Sequence, residues 1–562
     1  MLRKRWNVAP RISPDADKNL SAFHPIMRQL LFNRGISADD DARLFLEAGV
    51  DFDTDPYQLM GMQTTVDRLC FAIDRGEAVA VYGDYDVDGV TATALLAEFL
   101  QSLDATVHPY IPNRFDEGYG LNREALDSLK ADGVSLVVTV DCGIRSPDEA
   151  MYAREIGLDL IITDHHHPLE GSVPPALAVI CPKQASDNYP DKYLAGVGVA
   201  YKIAQALATR RQGPVGIQEL LDLVALGTVA DLAPLIGENR MLVRSGLQEI
   251  RKNRRQGLYS LANVADLAIA RTSASQIGFI LGPRLNAAGR LDSAHAALKL
   301  LTTNDPQEAG PLAQLLDTQN RQRQNLTRET QELAEALATA EDADPILLFA
   351  VDESFNPGVV GLAASRLAET YYRPAIVASK GVDQTRGSCR SIPEFHITDA
   401  LDQCADLLVR HGGHAAAAGF TVRNDNLPEL RSRLKALAAA QLGSQDLRPS
   451  LRADVEIKLS ELNFDLFRLL ADLEPTGYGN PEAVFVSRGA PVRSSRAVGA
   501  EGRHLKLAFE DERGVTVDAI GFRLGQELKD LSARVDIAYT LEINEYRGRT
   551  TLQLNLKDVR PA

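Results

Sequence analysis

Short β-type segments alternate with helical segments between residues 77 and 184, and this alternation limits the fold more than any other feature of the chain. The apolar runs include AVAVYG, SLVVTVDCG and LDLIIT, and helical stretches such as VTATALLAEFLQSL and SPDEAMYAREIG separate them. Strands separated by helices of about ten or more residues need crossover connections, which produce parallel pairing. We therefore predict an α/β domain with a mostly parallel sheet over residues 77–305, in which residues 193–301 supply covering helices.

An N-terminal region, residues 1–76, precedes this domain, and three further parts follow it. Residues 306–340 predict a long connecting helix, because QNRQRQNLTRETQEL carries few core-type side chains and so polar a helix usually bridges two domains. Residues 341–445, from the strand-like DPILLFAVD onward, predict a second, smaller α/β domain. Residues 450–562 contain alternating runs such as HLKLAFED, which favour either a small β-barrel of the oligonucleotide-binding type or a sandwich.

Composition excludes several classes of protein. A net charge of -16 argues against a protein that coats duplex nucleic acid by bulk electrostatics, although it is compatible with a local basic track. Five cysteines without a CxxC pair indicate neither a disulfide framework nor a zinc knuckle, so we expect a reducing cytoplasm. No uncharged apolar run approaches the roughly 18 residues that span a bilayer, and we predict no membrane anchor.

Acidic and imidazole side chains follow the predicted strands. GDYDVDG (83–89) comes after AVAVYG, Asp141 ends SLVVTV, and TDHHH (163–167) ends LDLIIT. Because the carboxyl ends of parallel strands meet at one edge of a sheet, we expect these side chains to lie together. Carboxylate oxygens bind hard divalent ions, and imidazole shifts the preference toward manganese, zinc or iron. The pattern therefore predicts a metal site at this edge.

Each element has a simpler explanation when it is taken alone. GDYDVDG would suit an Asp-rich turn with helix-capping residues, whereas a calcium loop of the EF-hand type is excluded because its twelfth position is Leu95. Asp231 lies within the apolar segment VALGTVADLAPL, where a buried carboxylate is costly unless it is paired or bound to metal. Metal ligation would lower the free-energy cost of burying the Asp231 carboxylate, so we favour it as the explanation.

The motif order DxDxDG, VDCG, DHH and ADLAPL resembles the DHH phosphoesterase superfamily. The later segments PRLNAAGR, GSCRS, GGHAAAAGF and PTGYGNPE resemble its bacterial exonucleases that are specific for single-stranded DNA. At least eight motifs occur in the family order between Val79 and the C-terminal region. The resemblance implies a DHH domain over residues 77–305, a DHHA1-like phosphate- and DNA-binding domain over residues 341–445, and an OB-fold-like single-strand-binding domain over residues 450–562.

The resemblance also implies a centre of two manganese or magnesium ions. Its ligands would be Asp84, Asp86, Asp88, Asp141, His165 and Asp231. Asp141 would bridge both ions, and Asp86 would serve one of them. Asp88, His165 and Asp231 would serve the other ion, and Asp84 would be a supporting acid.

His166 would face the scissile phosphate as a hydrogen-bond donor, so that His166, Asp141 and Asp86 carry the catalysis. Tyr82 departs from the family pattern, because many members have a histidine ligand at this position. This departure leaves the role of Asp84 open.

Phosphate binding needs cations and backbone donors. The expected substrate-binding residues are Arg114, Arg284, Arg290, Ser388, Arg390, Gly412, Gly413 and His414. In the family, such residues of the second domain would anchor a 5′-terminal phosphate. A surface ion pair is the alternative for each single arginine. SFNPGVVG (354–361) departs from the family, which often has Trp-His before Pro-Gly.

The resemblance implies an exonuclease that degrades single-stranded DNA from 5′ to 3′ for DNA repair and recombination. It would act as a monomer, with single-strand-binding protein and a helicase as partners. A phosphodiesterase for short oligonucleotides or nucleotides is the alternative, since it would use the same ions. A metal-dead DNA-binding scaffold is disfavoured, because every main ligand position carries a competent side chain.

Overall fold

The computed structural model describes residues 3–47, 54–113, 117, 120–169, 171–291, 293–340, 342–511, 513–546 and 548–562. The chain divides into two compact units. The parallel-sheet unit comprises Ile36–Arg321 and Ala471–Glu482, and the barrel unit comprises Met1–Gly35, Gln322–Leu470 and Ala483–Ala562.

Five parallel strands form the centre of the parallel-sheet unit. Their spatial order is Thr106–Tyr110, Ala78–Tyr82, Val134–Thr139, Asp159–Thr163 and Ala178–Ile180. The crossover helices along the chain are Val87–Ser102, Arg123–Ala131 and Pro147–Glu155. This arrangement confirms the parallel α/β prediction and brings the carboxyl ends of the strands to one edge.

Further helices surround this sheet. They are Asp39–Glu47, Met62–Arg75, Gly196–Ala208, Leu221–Ala230, Gly237–Arg251, Gln256–Val264, Gly282–Leu291 and His295–Thr302. The helix Val87–Ser102 packs against Gly196–Ala208 and Leu221–Ala230, and nearly all of its residues are buried. A helix that is apolar on every side belongs in a core, so the GDYDVDG loop at its start is anchored to a buried element of this unit.

The barrel unit contains a second α/β sheet. Its strand order is Leu408–His414, Ala417–Arg423, Gln384–Arg390, Ala375–Lys380 and Leu348–Asp352. The last two strands are parallel and the other neighbours are antiparallel. The helices of this part are Val360–Tyr371, Ile397–Asp402 and Leu427–Leu442. The Gly-rich stretch HGGHAAAAGF therefore forms two paired strands at the edge of the sheet.

The C-terminal strands close into a barrel. In spatial order they are Phe485–Val498, His504–Glu510, Thr516–Gly521, Arg549–Pro561 and Arg534–Tyr546, and the last strand pairs again with the first. Closure favours the oligonucleotide-binding barrel over the sandwich. One neighbouring pair in this ring, Thr516–Gly521 with Arg549–Pro561, is parallel, and the other neighbours are antiparallel.

The long connecting helix extends over Pro306–Thr339. Its first half belongs to the parallel-sheet unit and its second half to the barrel unit. Ala309, Ala313 and Leu316 pack into the core of the first unit, whereas Ala334 and Ala338 pack into a core of the second. A few small apolar side chains at each end thus fix a helix that is otherwise polar.

The segment Ala471–Glu482 belongs to the parallel-sheet unit, although it lies within the range predicted for the C-terminal domain. The buried Arg240 guanidinium donates hydrogen bonds to the backbone carbonyls of Phe45, Asp472, Leu473 and Pro475 at 2.8 to 3.2 Å. Asn480 Nδ2 donates to two of these carbonyls, those of Leu473 and Pro475, at 2.8 Å. Two side chains therefore hold this segment through its backbone.

Replacing Arg240 should destabilise the parallel-sheet unit. Arg240→Met removes the guanidinium donor from the carbonyls of Phe45 and Asp472 and leaves those of Leu473 and Pro475 with Asn480 alone. We therefore expect a loss of about 2 to 3 kcal/mol of unfolding free energy. Calorimetry would show a lower melting temperature. Arg433→Met is the matched control, because Arg433 lies half-exposed at the surface and pairs with Asp406 and Glu429. Equal stability of the two variants would contradict the assigned role of Arg240.

Candidate metal centre

The three aspartates of GDYDVDG have different local roles. Asp86 is the N-cap of the helix Val87–Ser102, and its Oδ1 accepts a hydrogen bond from Gly89 N at 3.1 Å. Asp88 accepts from Gly196 N at 2.7 Å and from Val197 N at 2.8 Å. Its carboxylate therefore caps the helix Gly196–Ala208, whose own cap residue forms no side-chain hydrogen bond. A helix N-terminus favours negative charge, which helps to hold Asp88 in place.

Two glycines allow the backbone to approach the acids. A Cβ atom at Gly89 would lie 2.5 Å from the backbone N and O atoms of Asp84, and one at Gly196 would lie 2.5 Å from Asp141 Cβ. Neither position has room for a Cβ atom, so no residue larger than glycine fits there. The glycine at the end of GDYDVDG is therefore required by packing around the acidic loop.

Asp141 has a left-handed backbone conformation, with φ of 62°. This conformation is uncommon for a residue other than glycine, and such strain concentrates at functional sites. Asp141 lies two residues after the end of the strand Val134–Thr139, and its carboxylate lies 3.1 Å from His165 Nε2. The sharp change of chain direction thus places Asp141 beside the imidazole of the next strand end.

Asp231 ends the helix Leu221–Ala230 as its C-cap residue. The turn that follows has φ of 60° at Leu232, and Leu235 N donates to Tyr478 O at 2.7 Å. Pro234 packs against Gly479, where an added Cβ would approach to 2.9 Å. The segment Ala471–Glu482 therefore supports the backbone that follows Asp231.

His165 Nε2 is the point on which the acids converge. It lies 3.1 Å from Asp141 Oδ1, and 3.7 Å from both Asp88 Oδ2 and Asp231 Oδ2. Asp88, His165 and Asp231 form one group of potential ligand atoms within 4.8 Å of one another. Asp84, Asp86 and Asp141 form a second such group, and Asp141, His165 and His166 form a third. All six expected metal ligands are thus brought together.

A divalent cation fits these donors. Asp141 Oδ1 and His165 Nε2 are buried and have no hydrogen-bond partner among the described residues. Buried polar atoms are nearly always bonded, so two such atoms that face each other indicate a missing partner. Carboxylates with an imidazole suit Mn²⁺, and the oxygen-rich group Asp84, Asp86 and Asp141 suits Mg²⁺ as well.

The electrostatics of the site also favour a cation. Burial, followed by the charge of Asp86, raises the pKa of Asp88 to about 7. Burial and the charge of Asp88 raise the pKa of Asp231 to about 9, and the same two causes raise the pKa of Asp141 well above its usual range. Burial lowers the pKa of His165 to about 3, so its imidazole is neutral and able to bind metal.

Asp164, to which the sequence pattern assigns no role, orients His166. Its Oδ1 lies 2.7 Å from His166 Nδ1 and also accepts from the backbone N–H groups of His165 and His166. Burial opposes protonation of His166, but the hydrogen bond and charge of Asp164 outweigh it and raise the His166 pKa. Its position at the strand end, immediately before the histidines, was the available sequence signal.

Tyr82 belongs to the core. Its hydroxyl donates to Gly120 O at 3.0 Å and accepts from Asn122 Nδ2 at 3.1 Å, and its ring stacks on Tyr110. Asp84 is grouped with Asp86 and Asp141 without any contribution from Tyr82.

The expected substrate-binding arginines of the parallel-sheet unit differ in their surroundings. Arg284 pairs with Asp317 at 2.9 Å and donates to Ile280 O. Arg290 lies in the last turn of Gly282–Leu291, a helix that Gly289 brings against Tyr85 of the acidic loop. Arg114 lies outside the described residues.

The remaining expected substrate residues share one region of the barrel unit. Two cross-strand rows bring them together. Ser388, Gly419 and Gly412 form one row, and Arg390, Ala417 and His414 form the other. The helix Val360–Tyr371 begins beside them. An added Cβ at Gly361 would lie 3.2 Å from Arg390 Nη2 and 3.3 Å from Ser388 Oγ. Gly413 lies on the edge strand with φ of 151°.

Sequence models of three protein families match the chain. The DHH family N-terminal domain matches residues 78–228, the DHHA1 domain matches residues 344–440, and the RecJ OB domain matches residues 453–558. No helix in the described part of the chain is both long and apolar enough to cross a membrane.

Similar proteins extend over nearly the whole chain. The single-stranded-DNA-specific exonuclease RecJ of Bacillus subtilis is 38% identical over 99% of this chain and 71% of its own length. The Escherichia coli protein of that name is 37% identical over 96% of both chains. The crystal structure of Thermus thermophilus RecJ in complex with Mn²⁺ has a TM-score of 0.84 and 32% identity, and the match covers 100% of this chain and 80% of that chain. The Mg²⁺ complex gives a TM-score of 0.80 and 31% identity, with coverage of 100% and 79%.

Without metal ions, the parallel-sheet unit should lose stability as the pH rises from about 4 to about 9. The pKa values of Asp88 and Asp231 are raised from 3.8 to about 7 and about 9, so the folded state binds more protons than the unfolded state in this range. Calorimetry in EDTA would measure the decline, and Mn²⁺ should reduce it. Asp231→Asn should flatten the decline, because the amide does not titrate. An unchanged slope in this variant would contradict the assignment.

Proposed function

Because the chain belongs to the RecJ family of single-stranded-DNA-specific exonucleases, we propose that it degrades single-stranded DNA from the 5′ end by metal-dependent hydrolysis. The observation that carries the chemistry is the convergence of five aspartates and one histidine on a buried point at the edge of a parallel sheet. Mn²⁺ or Mg²⁺ would serve as the cofactor.

We assign two ions to the two ligand groups. Asp84, Asp86 and Asp141 would hold the first ion, and Asp88, His165 and Asp231 would hold the second, with Asp141 shared. Two ions bound in this way supply a water of lowered pKa and stabilise charge on the reacting phosphate. On this assignment, Asp84 takes the ligand position that Tyr82 cannot fill.

His166 is assigned as the donor to the scissile phosphate. Asp164 fixes the ring through Nδ1 and favours the protonated form, and about two fifths of the His166 side chain remains exposed. A positioned cationic donor stabilises the charge that develops on phosphate oxygens. Asp164 therefore acts as a positioning residue for His166.

We assign the 5′-terminal phosphate to the region of Ser388 and Arg390. A guanidinium, a hydroxyl and the N-terminus of the helix Val360–Tyr371 meet there, and each attracts phosphate. The SFNPGVVG segment supports this helix start, since Phe355 is buried in the core and Asn356 Oδ1 accepts from Gly358 N at 2.8 Å. Anchoring the terminal phosphate would set the 5′ to 3′ direction.

The biological setting follows from the same chemistry. We propose a role in DNA repair and recombination, as a monomer in the cytoplasm, with single-strand-binding protein and a helicase as partners. The five cysteines are free, which suits a reducing compartment. A phosphodiesterase for short oligonucleotides is the alternative, but it gives no role to a closed barrel of the RecJ OB type.

The central test is degradation of a long 5′-phosphorylated single strand in Mn²⁺. Asp141→Ala should lower the rate by about 10³-fold or more, as expected for loss of a group on which both ion sites depend. Asp127→Ala, on the exposed side of the helix Arg123–Ala131, is the control and should retain full activity. A preference for duplex, or equal turnover of a dinucleotide and a long strand, would contradict the proposal.

Replacing Arg390 should weaken recognition of the 5′ phosphate. A hydrogen bond to a charged group contributes about 1.5 to 3 kcal/mol, so Arg390→Gln should reduce the preference for 5′-phosphate over 5′-hydroxyl strands by about 10- to 100-fold. Competition between the two labelled strands measures this ratio. Arg433→Gln should leave the ratio unchanged, and an unchanged ratio in Arg390→Gln would exclude Arg390 from the phosphate site.

A further inference from the structure

One face of the second sheet carries exposed arginines on three neighbouring strands. In the strand register, Arg386 lies opposite Thr421, and Thr421 lies opposite Arg410 on the edge strand. Arg423 lies opposite Gln384. Residues that pair directly across antiparallel strands point to the same face, as do residues two apart on one strand. Arg386, Arg410 and Arg423 therefore share one face of the sheet.

The opposite face of these strands is core. Cys389, Phe420 and Val422 point to that side, and they are buried with Leu430 and Leu434 of the helix Leu427–Leu442. The arginine face thus points away from this core. The side chains of Arg386, Arg410 and Arg423 are all exposed.

Ser388, Arg390 and His414 lie on the same face as the three arginines. Ser388 and Arg390 follow Arg386 at intervals of two residues along one strand, and His414 is in the same cross-strand row as Arg390. The Cα atoms of Arg386 and Arg410 are two strand spacings apart, about 10 Å. The three arginines therefore lie on the same sheet face as the residues assigned to the terminal phosphate, and Arg386 is next to them.

None of these three guanidinium groups forms an ion pair with a described carboxylate, and Arg410 Nε donates only to Thr421 Oγ1 at 3.3 Å. Some surface arginines of the barrel unit are paired, such as Arg433 with Asp406 and Arg448 with Asp446. The chain has 76 acidic and 60 basic residues, yet these three neighbouring arginines gather positive charge without an acidic partner among the described residues. A polyanion would satisfy them.

We propose that Arg386, Arg410 and Arg423 form a phosphate-binding track that holds the backbone of single-stranded DNA close to its 5′ end. This inference rests on the proposed function. Guanidinium groups bind phosphate oxygens in a bidentate manner, and such contacts are independent of base sequence. The track adds backbone contacts to the terminal-phosphate site of Ser388 and Arg390.

Salt dependence of DNA binding tests the track. For single strands, each phosphate contact contributes about 0.7 to the slope of log K against log salt concentration. The triple variant Arg386→Gln, Arg410→Gln, Arg423→Gln should lose about 2 units of slope, and at 0.15 M salt each contact is equivalent to about fourfold in affinity. Fluorescence anisotropy with a 5′-phosphorylated strand in EDTA measures both quantities without cleavage.

Steady-state kinetics in Mn²⁺ provide the second measurement. The triple variant should raise KM by about 50-fold at 0.15 M salt with kcat unchanged, because the track binds DNA without contacting the reacting atoms. Each single variant should give about a third of the slope change, which keeps the test valid if the triple variant fails to fold. Arg410→Lys should keep the slope, since it keeps the charge.

Arg433→Gln is the matched control in the same unit and should bind DNA like the wild type. Wild-type slope and KM in the single and triple track variants would overturn the track while leaving the exonuclease proposal intact. Failure of the wild-type protein to bind or degrade single-stranded DNA would instead overturn the proposed function. The two outcomes are therefore distinguishable.

Discussion

Mutual repulsion of buried carboxylates is the constraint on which the structure of the parallel-sheet unit depends. Asp88, Asp141 and Asp231 surround one neutral imidazole, and burial raises the pKa of each acid. In the absence of cations, this arrangement costs free energy that the remainder of the unit must supply. Bound divalent ions would make the same carboxylates stabilising, because each negative charge would then attract a cation as its ligand.

The fold resists this repulsion by fixing backbone positions. Strand ends provide Asp141 and His165, and a helix N-terminus holds Asp88 through two backbone N–H groups. The turn after Asp231 is supported by a segment more than 200 residues away in sequence, which Arg240 binds through its carbonyls. Asp88, Asp141, His165 and Asp231 are therefore anchored by different elements, so that the site is determined by tertiary packing and not by the acidic loop alone.

The sequence predicted the parallel sheet and a cluster of acidic and imidazole side chains at its strand ends, because both depend on local patterns, whereas the assignment of six metal ligands came from the family resemblance. Alternating apolar segments determine crossovers, and strand ends determine where polar residues meet. Asp164 was not assigned, since its role depends on a hydrogen bond to His166 that no spacing indicates. The placement of residues 471–482 and the common face of Arg386 and Arg410 required strand register and long-range packing, which periodicity does not contain.

Separation of charge explains how an acidic chain can act on a polyanion. Acids are concentrated where cations would neutralise them, whereas Arg386, Arg410 and Arg423, which pair with no described carboxylate, lie on a sheet face of the other unit. A uniformly basic surface would bind duplex and single strands alike through phosphate charge. When the cationic face is small, most of the affinity for DNA comes instead from a few contacts at defined positions. Selectivity for a strand end would then arise from the proposed site of one hydroxyl, one guanidinium and a helix N-terminus, because a terminal phosphate offers it more charge and more acceptor oxygens than an internal one.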